Sequence, residues 1–363
     1  MSNKRASKRH LIEPSTWPWP FSRPDLTAGL RRYLADTSLQ VEDVRPLTMA
    51  DRLPSIGRIH GLLIQYQTRE GAGEARLVLK EPQGTTRTGL AGAGRREAGF
   101  YRVLAQQVPM STPDLIGANP QGDWLLLEFL ETARRPARWT AADYLRAVEE
   151  LADLHNRFWA LGEDLEAFPW LSDPLLSDFS VHQAAADEAI ERIAAAAKPE
   201  PMAGFPGRRW LLERLAREAS RIIQPLRDEP GTLLHGDYWP GNITIRQDER
   251  HSVYDWQLAG IGPGILDLLV FVNKSDWWYG PLPVERHALI EHYRLRMETD
   301  GGIIWTDERW SELWDHALMW RFVQEWLDLL AVIPLPVLAT RAEQLDAVWL
   351  QPVEDALSRR LGG

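Results

Sequence analysis

The sequence predicts an α+β chain of two lobes, a small antiparallel β-rich lobe followed by a large, mainly helical one, joined near residue 130. Three observations carry this. Between about Val41 and Pro82 the apolar residues fall in short runs separated by turn residues, the texture of paired strands. Beyond about residue 140 they recur at helical spacing over long stretches. Between the two lies "ETARRPAR", residues 131–138, a break rich in arginine and interrupted by proline. At 363 residues the chain is long enough for two lobes that each bury a core.

The elements follow in order. Residues 1–21 are basic at the start and then proline-rich, and read as an extended arm, with a mitochondrial presequence as the alternative. Ser22 with Asp25 has capping-box spacing and Pro24 suits a first turn, so "LTAGLRRYLAD" is expected to be helical. "GLLIQYQT", the turn "REGAGEA" and "RLVLKEP" make an antiparallel hairpin. "QGTTRTGLAGAG" is a flexible loop; it follows no parallel strand-helix repeat and lacks the downstream acid of a dinucleotide site. "RREAGFYRVLAQQ" is a helix and "DWLLLEFLE" a strand, closing a first lobe over residues 22–130.

The second lobe, 131–363, opens with a second capping box, Thr140 and Asp143, ahead of "AADYLRAVEELADLHNRFWALG". Within it only "GTLLHGD", "GNITIRQ" and "RHSVYDW" read as strands. Trp310 and Trp314 stand about one helical turn apart and are expected in core packing.

Composition narrows the function classes. With no cysteine the chain has no disulfide, no thiolate metal site and no cysteine nucleophile, which suits a reducing compartment and makes the cytoplasm the expected location. No stretch reaches the roughly 18 uncharged apolar residues of a membrane span. A net charge of −10 argues against nucleic acid as a partner. Nine of the seventeen tryptophans follow residue 255, enough to line a pocket as well as a core.

The chemistry concentrates in "LLHGDYWPGN", residues 233–242, and in Asp255 beyond it. A loop holding Asp237 at its start and Asn242 at its end, beside a hairpin strand that ends in Asp255, brings three oxygen-bearing side chains to one point. Hard oxygen ligands of this kind suit Mg²⁺, which binds through one or two carboxylates and the substrate's phosphates. Phosphoryl transfer needs such an ion and a carboxylate to orient the attacking hydroxyl.

At these residues the chain resembles the aminoglycoside phosphotransferase and choline kinase superfamily, small-molecule relatives of the protein kinases. The kinase pattern H-R-D-x-x-x-x-N is met by His235, Gly236, Asp237 and Asn242, with glycine in place of arginine. The metal-binding D-F-G is represented by Asp255-Trp256-Gln257, without its glycine. The resemblance implies a two-lobed protein-kinase-like fold and an ATP- or GTP-using, Mg²⁺-dependent O-phosphotransferase acting on a small-molecule hydroxyl. It implies Asp237 as catalytic base, Asn242 and Asp255 as metal ligands, and His235 and Asp267 as structural support, with His155 structural too. Lys80 would contact the nucleotide phosphates and Glu97 would pair with it. Glu128, Phe129 and Leu130 would form the adenine-binding hinge. Ser55 and Gly57 would belong to a loosely matched nucleotide loop.

Asp276, Trp277, Trp278 and Tyr279 offer an anionic and aromatic site for an amino or ammonium group on the acceptor. The rival is a pseudokinase, a nucleotide-binding or scaffold protein without turnover. Phosphorylation of proteins is disfavoured because no A-P-E motif follows Asp255.

Overall fold

The computed structural model describes residues 17–49, 58–82, 90–195 and 205–362. The expected nucleotide-loop residues Ser55 and Gly57 lie outside them. The first helix, α1 (Arg23–Tyr33), starts at Ser22, whose hydroxyl oxygen accepts the Asp25 amide at 3.1 Å. Only half of the expected box forms, since the Asp25 carboxylate takes the Ser22 hydroxyl at 2.6 Å.

Five strands follow in one antiparallel sheet: β1 (Gln40–Leu47), β2 (Arg58–Gln67), β3 (Ala72–Glu81), β4 (Leu115–Ala118) and β5 (Leu125–Glu128), in the order β1-β2-β3-β5-β4. The β2–β3 hairpin pairs Gln67 with Ala72, and its turn is closed by the Thr68 amide on the Gly71 carbonyl at 2.9 Å. Strand β4, "LIGA", gives no sequence signal because four residues with a glycine carry no alternation. Helix α2 (Ala93–Val103) lies between β3 and β4 in the chain.

Period-2 alternation decides which way the site residues face. Leu77 and Leu79 of β3 pack with Leu62, Ile64, Leu126 and the α1 residues Leu26 and Leu30. Lys80 therefore points to the other side of the sheet. Strand β5 divides in the same way: Leu126 joins that small core, while Leu125 and Leu127 join the large one together with Ala98, Phe100 and Leu104 of α2.

The rest is mainly helical. Helix α3 (Ala141–Arg157) has a complete capping box, the Thr140 amide donating to Asp143 at 2.6 Å and the Asp143 amide to Thr140 at 3.4 Å. Two short antiparallel strand pairs carry the loops of interest. Strand β6 (Thr232–Leu234) pairs with β9 (Gly260–Gly262), and β7 (Ile243–Ile245) with β8 (His251–Val253). A buried helix, Ile265–Tyr279, follows directly. Helix Asp307–Arg321 then runs into a π-helical segment, Phe322–Trp326. Trp310 is buried and Trp314 lies half-buried against the same core. Among the described residues no helix is long and apolar enough to cross a membrane.

Two packing features invite measurement. Phe100 of α2 lies flat on Trp256, with centroids 3.7 Å apart and planes 8° from parallel. Phe100→Ala is expected to cost about 3–5 kcal/mol in urea unfolding, the usual range for emptying a buried aromatic site. A loss below 1 kcal/mol, on the order of a surface change, would show that the stack does not hold α2.

His182, in helix Phe179–Ala195, sits edge-on to Trp320, and burial lowers its pKa from 6.5 to about 4. Between those values the unfolded chain binds the extra proton, so stability falls as pH drops from 6.5 towards 4, by on the order of 3 kcal/mol. His182→Leu is expected to flatten that slope. An unfolding difference between variant and wild type that is the same at neutral and acid pH would contradict a buried neutral imidazole.

Candidate active site

The site is built on one lysine. Lys80 is the penultimate residue of β3, opposite Leu125 of β5, and its ammonium reaches Glu97 of α2 at 2.6 Å and the Asp255 carboxylate, 175 residues away in sequence. Burial opposes its charge, but the Asp255 and Glu97 carboxylates outweigh burial and raise its pKa. Glu97 has no solvent exposure; burial pushes its carboxyl up to about 7 against the pull of Lys80.

Asp255 itself occupies the left-handed region, φ 68° and ψ 51°, which a short polar side chain tolerates better than most. This turn drops Trp256 into the core against Phe100 and His235. Helix α2 grips the turn a second time, Arg96 Nη1 donating to the Gln257 carbonyl at 2.8 Å.

The second half of the site is the loop after β6. Asp267, at the start of helix Ile265–Tyr279, accepts the amides of His235 and Gly236 at 2.7 and 2.9 Å. Burial would raise the Asp267 carboxyl, but His155 and the Arg321 charge hold it below its usual range. His155 is itself fixed by the Tyr293 hydroxyl at 2.7 Å. Burial lowers the pKa of His235. It sits between two groups, with Nε2 3.0 Å from the Tyr254 carbonyl and Nδ1 accepting the Asp237 amide at 3.2 Å. The second contact requires a lone pair on Nδ1, so Nε2 carries the proton.

Asp237 is held at both oxygens. Asn242 Nδ2 donates to its Oδ2 at 3.0 Å and to its carbonyl at 2.9 Å, while Lys274 reaches Oδ1 at 2.5 Å. Asn242 begins the β7–β8 hairpin whose other arm leads to Asp255, the Tyr254 amide bonding the Asn242 carbonyl at 3.0 Å. Because both acceptors facing Asn242 are oxygens, its amide nitrogen is the atom turned towards Asp237, and Oδ1 is left for another partner. Asp255 commits Oδ1 to Lys80, and its second oxygen has no side-chain partner among the described residues. One oxygen from each is therefore available to a hard cation, a donor set that fits Mg²⁺.

At the hinge, the Glu128 amide is already bonded to the Asp114 carbonyl at 2.9 Å and its carboxylate to Arg246. Phe129 follows directly on the Leu77–Glu128 pair, and Leu130 lies beyond the end of β5.

Asp276, Trp277, Trp278 and Tyr279 do not form the single cluster expected of them. Successive residues on a helix point about 100° apart. Trp277 is 1% exposed and packs edge-on against Trp326 in the core. Asp276 is paired with Arg286 at 2.9 Å, and Arg341 already covers the rings of Trp277 and Trp278. Only Trp278 and Tyr279 approach the loop, each about 6 Å from Trp239 between ring centroids.

The sequence reading missed Lys274, Glu325 and Arg321. Its available signal was a lysine closing the largely apolar run "ILDLLVFVNK", since a charge there must have buried partners.

Gly236 has φ 81°, and a Cβ there would fall on the Leu258 carbonyl oxygen. Gly236→Ala is expected to cost more than about 2 kcal/mol, combining left-handed strain with the clash. Gly302→Ala, with φ 65° and open space around it, should lose only the strain of about 1 kcal/mol. Equal losses in chemical unfolding would mean that the Leu258 contact imposes nothing.

Comparison with known proteins bears on the fold and the family. Residues 64–303 match the model of the phosphotransferase enzyme family, a segment that ends before Arg321 and Glu325. No curated protein matches in sequence. Among solved structures, an aminoglycoside phosphotransferase from Alicyclobacillus acidocaldarius superposes with a TM-score of 0.50 at 13% identity, over 90% of this chain and 92% of the other. An ethanolamine kinase from Plasmodium vivax superposes with a TM-score of 0.52 at 11% identity, over 88% and 83%. At such identities the likeness is one of fold, a two-lobed kinase-like architecture.

Proposed function

The chain belongs to the phosphotransferase enzyme family, whose members act on small molecules, and from that premise we propose that it transfers the γ-phosphoryl group of ATP to a small-molecule hydroxyl, with Asp237 as the base. The observation that carries the proposal is the convergence of two held groups, Lys80 with Glu97 and Asp255, and Asp237 with Asn242, joined through the β7–β8 hairpin. A fold without turnover has no physical need for all five.

In this reading the acceptor oxygen bonds to the γ-phosphorus as the bond from phosphorus to the β,γ-bridging oxygen breaks, and the acceptor's proton passes to Asp237 and then to water. Lys80 holds the α- and β-phosphates, and Glu97 keeps that lysine aimed across the cleft. Leu130, whose amide has no backbone partner among the described residues, and the carbonyl of Glu128 receive the adenine edge. Asn242 and Asp255 would hold Mg²⁺, which supplies charge neutralisation on the β- and γ-oxygens when bound. The acceptor would lie beside Trp239, Trp278 and Tyr279, and its charge is left open, because Asp276 already has a cation from its own chain.

A coupled turnover screen over amino alcohols, aminoglycosides, macrolides and sugars tests the activity. Asp237→Asn is expected to keep nucleotide affinity and lose turnover by roughly 10²–10⁴-fold, the range for a general base. Asp255→Ala is expected to abolish Mg²⁺-dependent turnover. Undiminished rates in folded Asp237→Asn would remove the base from its role, and activity in excess chelator would remove the metal. Nucleotide binding with no transfer to any acceptor or to water would favour the pseudokinase reading.

A further inference from the structure

Resting on the assignment of Asp237 as base, we infer that Lys274 is a positioning residue for that carboxylate, itself held from behind by Glu325 and Arg321. Lys274 projects from the middle of helix Ile265–Tyr279, is 7% exposed, and lies 2.5 Å from both Asp237 Oδ1 and Glu325 Oε1. The Trp239 ring, 5.7 Å from the ammonium, covers a further side. The other oxygen of Glu325 accepts Arg321 at 2.9 Å, and the same Arg321 nitrogen donates to the Gly236 carbonyl at 2.8 Å. The contacts form a closed ring: Asp237, Lys274, Glu325, Arg321, Gly236 and back along the chain to Asp237.

Two features separate this ring from an incidental ion pair. It is balanced, with two carboxylates against two cations, and both of its ends land on adjacent residues of the reacting loop. A buried pair of this sort adds little stability compared with apolar packing of equal volume, so its consequence lies in the geometry it imposes. That geometry is specific: the Asp237 carboxylate is pinned at Oδ1 by Lys274 and at Oδ2 by Asn242, which fixes its plane. Each oxygen keeps a second lone pair for the acceptor's proton.

The acidic side of the ring comes from the π-helical segment Phe322–Trp326, where the widened turn follows directly on Arg321 and carries Glu325. Such segments recur at functional sites. Burial opposes the charge on Lys274, but Asp237 and Glu325 outweigh it and raise its pKa, so the ammonium form is the one that holds Asp237.

The experiment uses the full chain and MgATP hydrolysis with water as acceptor, alongside nucleotide affinity measured with a fluorescent ATP analogue. Lys274→Met is expected to lower kcat by about 100-fold, the scale for a misplaced reacting group, with nucleotide affinity unchanged. Lys274→Arg is expected to recover part of the loss. In an Asp237→Asn background Lys274→Met is expected to cost nothing further, because a residue acting through Asp237 has nothing left to position. Structural damage would instead add to the Asp237→Asn loss. Should Lys274→Met fail to fold, the double variant Lys274→Met/Glu325→Gln keeps the ring neutral and is expected to show the same kcat loss.

Loss in Asp237→Asn with an undiminished kcat in folded Lys274→Met or Lys274→Met/Glu325→Gln, or a Lys274→Met loss of the same size in both backgrounds, would overturn the inference alone. Undiminished hydrolysis in Asp237→Asn would overturn the base assignment and the inference with it.

Discussion

The site depends first on the ammonium of Lys80 lying between two carboxylates from distant parts of the chain. Glu97 ties it to α2, Asp255 ties it to the loop after β8, and the lysine itself belongs to the central region of the five-stranded sheet. Removing either carboxylate leaves a buried charge undercompensated, a situation far more costly than the pair is favourable. The sheet, α2 and the hairpin loop are therefore constrained to one relative placement. Phe100 on Trp256 and Arg96 on the Gln257 carbonyl hold α2 to the same loop by apolar contact and by a charged hydrogen bond.

A similar economy of charge runs through the neighbouring loop. Asp267 turns two successive amides inward, His235 is held as a neutral ring by a carbonyl and an amide, and Asp237 faces a lysine that has a second carboxylate of its own. Each buried charge meets an opposite one or a backbone dipole, as low-dielectric surroundings require. In a phosphotransferase this matters because little covalent help is needed from protein; positioning and preorganised charge do most of the work. The glycine at position 236 belongs to the same logic, since its left-handed backbone and the approach of Leu258 leave no room for a side chain.

Some of this was legible along the chain because it is local. Asp237, Asn242 and Asp255 fall on one short loop and one hairpin, so their spacing alone places them together. The helix starts at Ser22 and Thr140 and the β2–β3 hairpin are also local, set by caps and alternation. Lys80 and Glu97 were legible through resemblance to a pattern; spacing would have left them as a strand end and a first-turn acid. Strands β4 and β9 were not legible, since "LIGA" and "GIG" are too short and too rich in glycine to alternate. The cluster at 276–279 was misjudged for a related reason. Adjacent letters suggested a common surface, whereas a helix buried on nearly every side sent Trp277 into the core and gave Asp276 to Arg286.

The sequence by itself determined the fold class, the two-lobed order of elements and the oxygen-bearing triad, because these arise from periodicity and from groups within a few residues of one another. Only the tertiary structure decided which side chains share a charge. Lys274 finds Asp237 across 37 residues and Glu325 across the fold, and Lys80 finds Asp255 across 175. The physical reason is that a buried charge selects its partner by distance in space, under a penalty that no local pattern of residues records.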